Sequence, residues 1–340
     1  MLTDAHRTLS LELSKLKQAL RTHEAIRSAV FAAPEPLDPW ASIRAQCPNK
    51  VDWQIFDHCA GFTRLYAIYE QFISDLISEY LSLLPELHPI YATLPDATRI
   101  QHRVAVGQIL QKWSESGRFQ ELTEVQIVSG LANGLSAAPT YHLLVDAFLI
   151  DPQNYRGEVL RKLFGYLGFA DCWSAITKFP QMIQFINDRR DATETAQTIL
   201  HDIVEYRNQA SHTGVTTIAA LDEMISYADF IVILSAALEV LVKRMVWRKR
   251  ISNGQAVKVA TVLKLFGRAI GVSLEPGKIA ENDELIVVRG DSLSSVAIRS
   301  IKKGSTAHQN YEVAALEEIG LVLTHRVKEG AILYRLPSSP

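Results

Sequence analysis

The sequence predicts a multidomain α+β chain, an all-α helical bundle followed by a small antiparallel β-barrel, and three observations carry that expectation. The chain has 340 residues, more than one compact core usually holds at roughly 100 to 200 residues per domain. Apolar residues recur at helical spacing through most of the first 250 positions. Beyond Ser252-Asn253-Gly254 they give way to short β-branched runs separated by turn residues. The expected domains are residues 1–250 and 255–340.

Each element follows in order. Residues 2–30, within an N-terminal stretch 1–33, place Leu9, Leu13, Leu16, Leu20 and His23 at alternating steps of four and three, the stripe of an amphipathic helix of coiled-coil type. Pro34, Pro36 and Pro39 forbid its continuation, so 33–39 is a turn or linker. A long buried helix is expected over 51–84, on Phe62, Leu65, Tyr66, Tyr69, Phe72, Ile73, Leu76 and Ile77, with Pro85 and Pro89 marking its end. Further helices are expected at about 98–113, 141–149, 157–164, 172–187, 193–209 and 218–250. Strands are expected over 257–262, 269–272, 284–288, 295–301, 320–324 and 332–336, and the regular turns between them suit a small barrel.

Composition removes several function classes. At 48% hydrophobic and 21% charged residues the chain has apolar material for sizeable cores, which excludes wholesale disorder. The net charge of −2 excludes a generally basic nucleic-acid coat, so any such contact must be local. No run approaches about 18 uninterrupted apolar residues, and the best, 230–242, is short and carries Glu239, so no membrane crossing is expected. The start lacks a basic region followed by an apolar block, which makes a cytoplasmic location the expectation. Cys47, Cys59 and Cys172 have no CxxC spacing and read as buried free thiols. GxGxxG, HExxH, GxSxG and GxxxxGK[ST] are all absent, so no cofactor is expected.

The stretch IVEYRNQASHTG, residues 203–214, carries the chemistry. Arg207 and His212 stand five apart, with Asn208 directly after the arginine. Five helical residues turn about 500°, which sets the two side chains about 140° apart on one regular helix. They could converge if the helix ends near Ser211, for which Thr213-Gly214 is a plausible stop, or if two copies share a cleft. Taken alone, the pair could equally be an arginine bonded to a carboxylate and a histidine capping a helix. His201 and Glu205 sit at i and i+4 on the same helix, a metal-ligand spacing without a third ligand, so no metal is expected. Both, with Glu70 on the long helix, are candidates for orienting the site from behind, and a solvated face explains Glu70 more simply. Lys243, Arg244, Trp247, Arg248, Lys249 and Arg250 form the strongly basic stretch, in which cations could hold phosphates and the indole could stack on an unpaired base. A solvated helix terminus explains it equally well.

The R-x4-H pattern of Arg207 and His212, with Asn208, lies near the end of a helical region followed by one more long helix. Together with RLYAIYEQFISDLI (64–77) and NYRGEVLRKLFGYLGF (154–169), it resembles the HEPN superfamily (higher eukaryotes and prokaryotes nucleotide-binding) over roughly residues 50–250. The resemblance implies a metal-independent endoribonuclease in which the ribose 2′-hydroxyl attacks the adjacent phosphate. Histidine, which titrates near neutral pH, would transfer the proton; arginine would hold the crowded phosphorane oxygens; Asn208 would assist. It further implies an RNA substrate, a homodimer with two motifs lining one cleft, and a setting in bacterial defence, stress response or toxin action, with an inhibitor protein as a partner. A non-catalytic RNA- or ribosome-binding module is the alternative.

The region 255–337 is similar to the β-barrel that follows the GTPase domain of translation factors, through a G-x-I-x-x-x-D-x-L segment (Gly277 to Leu285) and V-K-E-G-x-x-L-Y (Val327 to Tyr334). Without a phosphate loop GTP hydrolysis is not supported, and this resemblance implies an adaptor contacting RNA, the ribosome or a protein.

Overall fold

The computed structural model describes residues 4–32, 40–113, 117–150, 154–169, 171–189, 194–211, 214–215, 217–290 and 292–337. The expected linker at 33–39 lies outside them. The chain divides into two compact units, residues 1–243 and 244–340.

Helices dominate up to residue 252: α1 (Asp4–Val30), α2 (Ala41–Arg44), α3 (Lys50–Leu87), α4 (Asp96–Lys112), α5 (Glu124–Leu135), α6 (Gly157–Tyr166), α7 (Cys172–Thr177), α8 (Pro180–Arg189), α9 (Ala196–Ser211) and α10 (Leu221–Ser252). The axis of the bundle is α3. Asn49 starts it, its Oδ1 accepting from the Val51 and Asp52 amides at 3.0 and 2.9 Å. From Phe62 to Leu84 most of its apolar side chains are buried, and α1 and α9 pack along it. The expected stop at Pro85 does not occur. A proline in the last turn forfeits a single intrahelical bond, and the His88 amide closes the turn on the Leu84 carbonyl at 2.7 Å.

The leucine stripe of α1 is spent inside the chain, with Leu9, Leu13 and Leu20 all buried. The helix is tied to α10 by Lys17 and Asp229 at 2.7 Å. A second tie runs from His6 Nδ1 to Ser235 Oγ at 2.8 Å. The Ser235 hydroxyl gives its own proton to the Val232 carbonyl, so the imidazole must donate. His23, by contrast, stays half exposed and reaches Asp57 Oδ1 at 2.8 Å, while Arg27 holds the other carboxylate oxygen.

Two expected helices are corrected. Over 141–149 only a single 3₁₀ turn forms, Val145–Ala147. Its backbone is satisfied by α4 instead: the Leu144 amide donates to His102 Nε2 at 3.2 Å and Gln101 Nε2 donates to the Ala147 carbonyl at 2.8 Å. The helix expected over 172–187 is broken into α7 and α8, because Pro180 is acceptable only in a first turn. In the other direction, α5 forms where no helix is expected. Gly130 and Gly134 weaken its propensity, but Thr123 and Gln126 make a capping box.

By length and composition α10 could cross a membrane, which a search for uninterrupted apolar residues does not register. Half of its most apolar window is buried inside the protein, with Phe230, Ile231, Leu234 and Leu238 on that face, the pattern of a core helix. It ends in a Schellman motif: Gly254 is left-handed (φ +70), its amide donates to the Ile251 carbonyl at 3.1 Å, and the Gln255 amide donates to the Arg250 carbonyl at 2.8 Å.

The strands are β1 (Val257–Phe266), β2 (Ala269–Leu274), β3 (Gly277–Ala280), β4 (Glu284–Arg289), β5 (Ser292–Lys303), β6 (Thr306–His308), β7 (Asn310–Val313), β8 (Glu317–Leu323) and β9 (Ile332–Arg335). Antiparallel pairing in the order β4-β9-β1-β2-β8-β5, with β5 returning to β4, closes a six-strand barrel. The short β6 extends β5 as a hairpin, and β3 pairs with β7 separately. Alternate residues face inward, among them Ile270, Val272 and Leu274 on β2 and Ile319, Leu321 and Leu323 on β8. Asp283 builds the turn before β4 by accepting from the Ala280 amide at 2.9 Å, which explains its place in the G-x-I-x-x-x-D-x-L segment. The three strands without a sequence expectation, β3, β6 and β7, are only three or four residues long.

Two predictions follow from the α4–α5 corner. A Cβ on Gly130 would lie 2.3 Å from the His142 carbonyl oxygen. Gly130→Ala should therefore lower the urea-unfolding free energy by about 1–3 kcal/mol, although alanine is the better helix former. An unchanged or raised midpoint would refute the close approach. His102 is fully buried, donates Nδ1–H to the Tyr91 hydroxyl at 3.1 Å and is pushed down to about 4, chiefly by burial. The unfolded histidine takes up a proton near 6.5 and the folded one does not, so its stabilisation is complete above pH 6.5 and is lost as pH falls towards 4. The loss is on the order of 3 kcal/mol. Unfolding measured at intervals from pH 7.5 to 4 should show that slope, and His102→Asn should flatten it.

Candidate active site on α9

The crossing of α9 over α3 builds the site. Phe62 and Tyr66, one turn apart on α3, meet two successive residues of α9. The half-buried Tyr206 ring packs on Phe62 with centroids 4.6 Å apart and touches His58 and Tyr227, so it is turned towards the core. The Arg207 guanidinium lies over the Tyr66 ring, 5.2 Å from its centroid. This is a cation–π contact on a half-buried side chain.

Arg207 is held from the side as well. Its Nη1 donates to Asn208 Oδ1 at 3.2 Å, and the same oxygen accepts from Asn154 Nδ2 at 2.9 Å. Asn154 precedes α6, where α3 fixes the backbone: the Tyr155 amide donates to the Tyr66 hydroxyl at 2.7 Å, and the Tyr69 hydroxyl donates to the Tyr155 carbonyl at 3.0 Å. Burial raises the Tyr66 and Tyr69 phenols well above the ordinary tyrosine range, so both are neutral hydrogen-bonding groups at any physiological pH. Among the described residues no carboxylate pairs with Arg207. A permanently charged fork backed by an aromatic face and an amide can accept an oxyanion without first leaving an ion pair.

The other expected site residues are distributed as follows. Asn208 joins Arg207 directly. His212 lies outside the described residues. His201 is exposed and Glu205 half-buried, both on α9. Glu70 is half-buried one turn after Tyr66 on α3, where its charge adds to the upward push on that phenol. Among the described residues no three histidines, cysteines or carboxylates are grouped to hold a metal ion. In the basic stretch, Lys243 is bonded to Glu239 at 3.1 Å. Arg248 is exposed, and Arg244 and Lys249 are half-buried. Trp247 and Arg250 are 7% and 6% exposed, with the Arg250 guanidinium 6.0 Å from the indole centroid. As placed, the indole has no free face for a base. Of the three cysteines, Cys172 is buried and Cys47 and Cys59 are partly buried, all as free thiols.

The sequence profile of the MAE_28990-like HEPN family matches residues 7–249. The chain belongs to that HEPN family. The match reaches back to residue 7, so α1, outside the stretch that the sequence motifs define, is part of the HEPN domain. No curated protein matches the chain significantly. In this HEPN domain the residues that spacing alone does not reveal are Asn154, Tyr66 and Tyr155. Asn154 is 54 positions from Asn208, and only the fold brings them together.

Tyr66→Phe isolates the support beneath the site. It keeps the ring under Arg207 and leaves the buried Tyr155 amide without its acceptor. The expected cost is about 1–3 kcal/mol by urea unfolding, and a variant as stable as the parent would show that the bond is dispensable.

Proposed function

We propose that the protein is a metal-independent endoribonuclease. Arg207 stabilises the negative charge of the phosphorane, His212 transfers the proton of the attacking 2′-hydroxyl or of the leaving oxygen, and Asn208 holds the guanidinium in place. The observation that carries this reading is the state of Arg207: fixed by Asn208 and Tyr66, and, among the described residues, not neutralised by a carboxylate. An arginine with a structural role at a helix crossing would be expected to meet an acid there. Family membership supports a nuclease-like or RNA-related module, and the R-x4-H spacing supplies the second catalytic group. The products are a 5′-hydroxyl and a 2′,3′-cyclic phosphate, and DNA, lacking the nucleophile, is not a substrate.

Two copies of the chain would bring two Arg207/His212 pairs to one cleft, which supplies the converging charge that one helix does not. The proposed setting is bacterial defence, stress response or toxin action in the cytoplasm, under the control of an inhibitor that spares host RNA.

Incubation of the full chain with total bacterial RNA in EDTA tests this. Wild type should cut and leave cyclic-phosphate ends. Arg207→Ala should lower the rate about 10²- to 10³-fold, as loss of a transition-state oxyanion donor does, and His212→Ala should abolish cutting. RNA that stays intact with wild type, with or without added cell extract, would dismiss the catalytic reading.

A further inference from the structure

A pocket with a basic rim lies in the barrel. In the β4–β5 hairpin Val287 pairs with Ser294 and Arg289 with Ser292. Strand alternation puts all four side chains on one face. Opposite them runs the loop 326–331 between β8 and β9. Together these enclose a cavity of about 180 Å³ lined by Val287, Arg289, Ser292, Ser294, Arg326, Val327, Lys328 and Ala331. Val287, Val327 and Ala331 form a buried apolar floor, while the three cations and both hydroxyls stand exposed at the rim.

The loop is rigidly held. The Gly330 amide donates to the Val262 carbonyl and the Val262 amide to the Ala331 carbonyl, both at 2.9 Å. Arg289 Nε donates to the Glu329 carbonyl at 2.9 Å, which stitches hairpin to loop and leaves the two Nη groups over. The Glu329 carboxylate is turned to the Leu265 amide at 3.3 Å, and no carboxylate lies among the described lining residues. Asp291 lies outside the described residues. Among the described residues Arg326 and Lys328 have no ion-pair or hydrogen-bond partner. Two uncompensated cations flanking one buried valine, a third cation fixed opposite, and two hydroxyl donors are a phosphate-binding set on an apolar base.

From this geometry we infer that the barrel pocket binds a backbone phosphate of single-stranded RNA, through Arg326, Lys328, Arg289, Ser292 and Ser294. RNA as the source of the phosphate rests on the function proposed above, while the pocket itself contains none of the residues proposed to cut. A strand is favoured over a compact phosphate ester because the cations stand exposed at the rim, where a polyanion can cross them. The pocket then adds affinity and register to substrate binding without taking part in the chemistry.

The test uses the full chain and a fluorescein-labelled 2′-O-methyl RNA of roughly 12 nucleotides, which cannot be cut, read by anisotropy over a range of salt. Arg326→Gln/Lys328→Gln, a double variant that removes no bond among the described residues and is checked for folding by its melting curve, should bind about tenfold more weakly. Its log affinity against log salt should be shallower by roughly 1. Unchanged affinity and slope would overturn the proposal, as would a wild type that does not bind the oligonucleotide. Inorganic phosphate added at constant ionic strength separates the two sources of phosphate. No displacement is expected for a strand, and displacement at low millimolar phosphate that the double variant removes would overturn the assignment to RNA. Loss of cutting in Arg207→Ala is read on cleavable RNA, so the pocket and the catalytic reading fail separately.

Discussion

The helical unit answers to one constraint, the burial of three tyrosine hydroxyls along α3. A phenol taken out of water must find a partner, and α3 offers none of its own, since its backbone is already committed to the helix. Tyr66 and Tyr69 take the amide and carbonyl of Tyr155, and Tyr80 donates to the Leu167 carbonyl at 3.4 Å. These residues bracket α6 at its two ends. Three side chains on one helix thus fix the position and direction of another that is almost ninety residues away in sequence.

The functional consequence appears at the N-terminal bracket. Pinning Tyr155 also pins Asn154, which reaches the amide that holds Arg207. The same Tyr66 that accepts from the backbone with its hydroxyl supports the guanidinium with its ring. An arginine kept in place by neutral groups retains its full charge for a ligand, whereas an ion pair would have to be broken first. Positioning without neutralisation is what a site for a transient oxyanion needs.

Much of this was legible in sequence. Long helices with an uninterrupted period, α1, α3, α9 and α10, stand where the apolar spacing puts them, and the change to strands follows the glycine that ends α10. What escaped has local causes. At 141–149 the apolar pattern is helical, but side chains of α4 satisfy the backbone on either side of a single 3₁₀ turn, the Leu144 amide before it and the Ala147 carbonyl at its end. In α5 two glycines hide a helix that its cap announces. β3, β6 and β7 are too short for a period to show. Of the site, Arg207 and Asn208 were readable as neighbours on one helix. Asn154 was not, because nothing in a string of residues reports a contact across 54 positions. In the basic stretch composition registers a tryptophan among cations, but not that its ring is buried.

The closure of the barrel between β4 and β5 has its own consequence for recognition. An open sheet offers a partner its unpaired amides and carbonyls, and an extended peptide can be added there as a further strand whatever its side chains. A closed ring of six strands removes that route from the main wall. Only the short β3–β7 ribbon and β6 keep an edge among the described residues. Whatever the barrel meets must then be discriminated by side chains on its hairpins and loops. Specificity there is free to change by point substitution, while the wall that carries it stays the same.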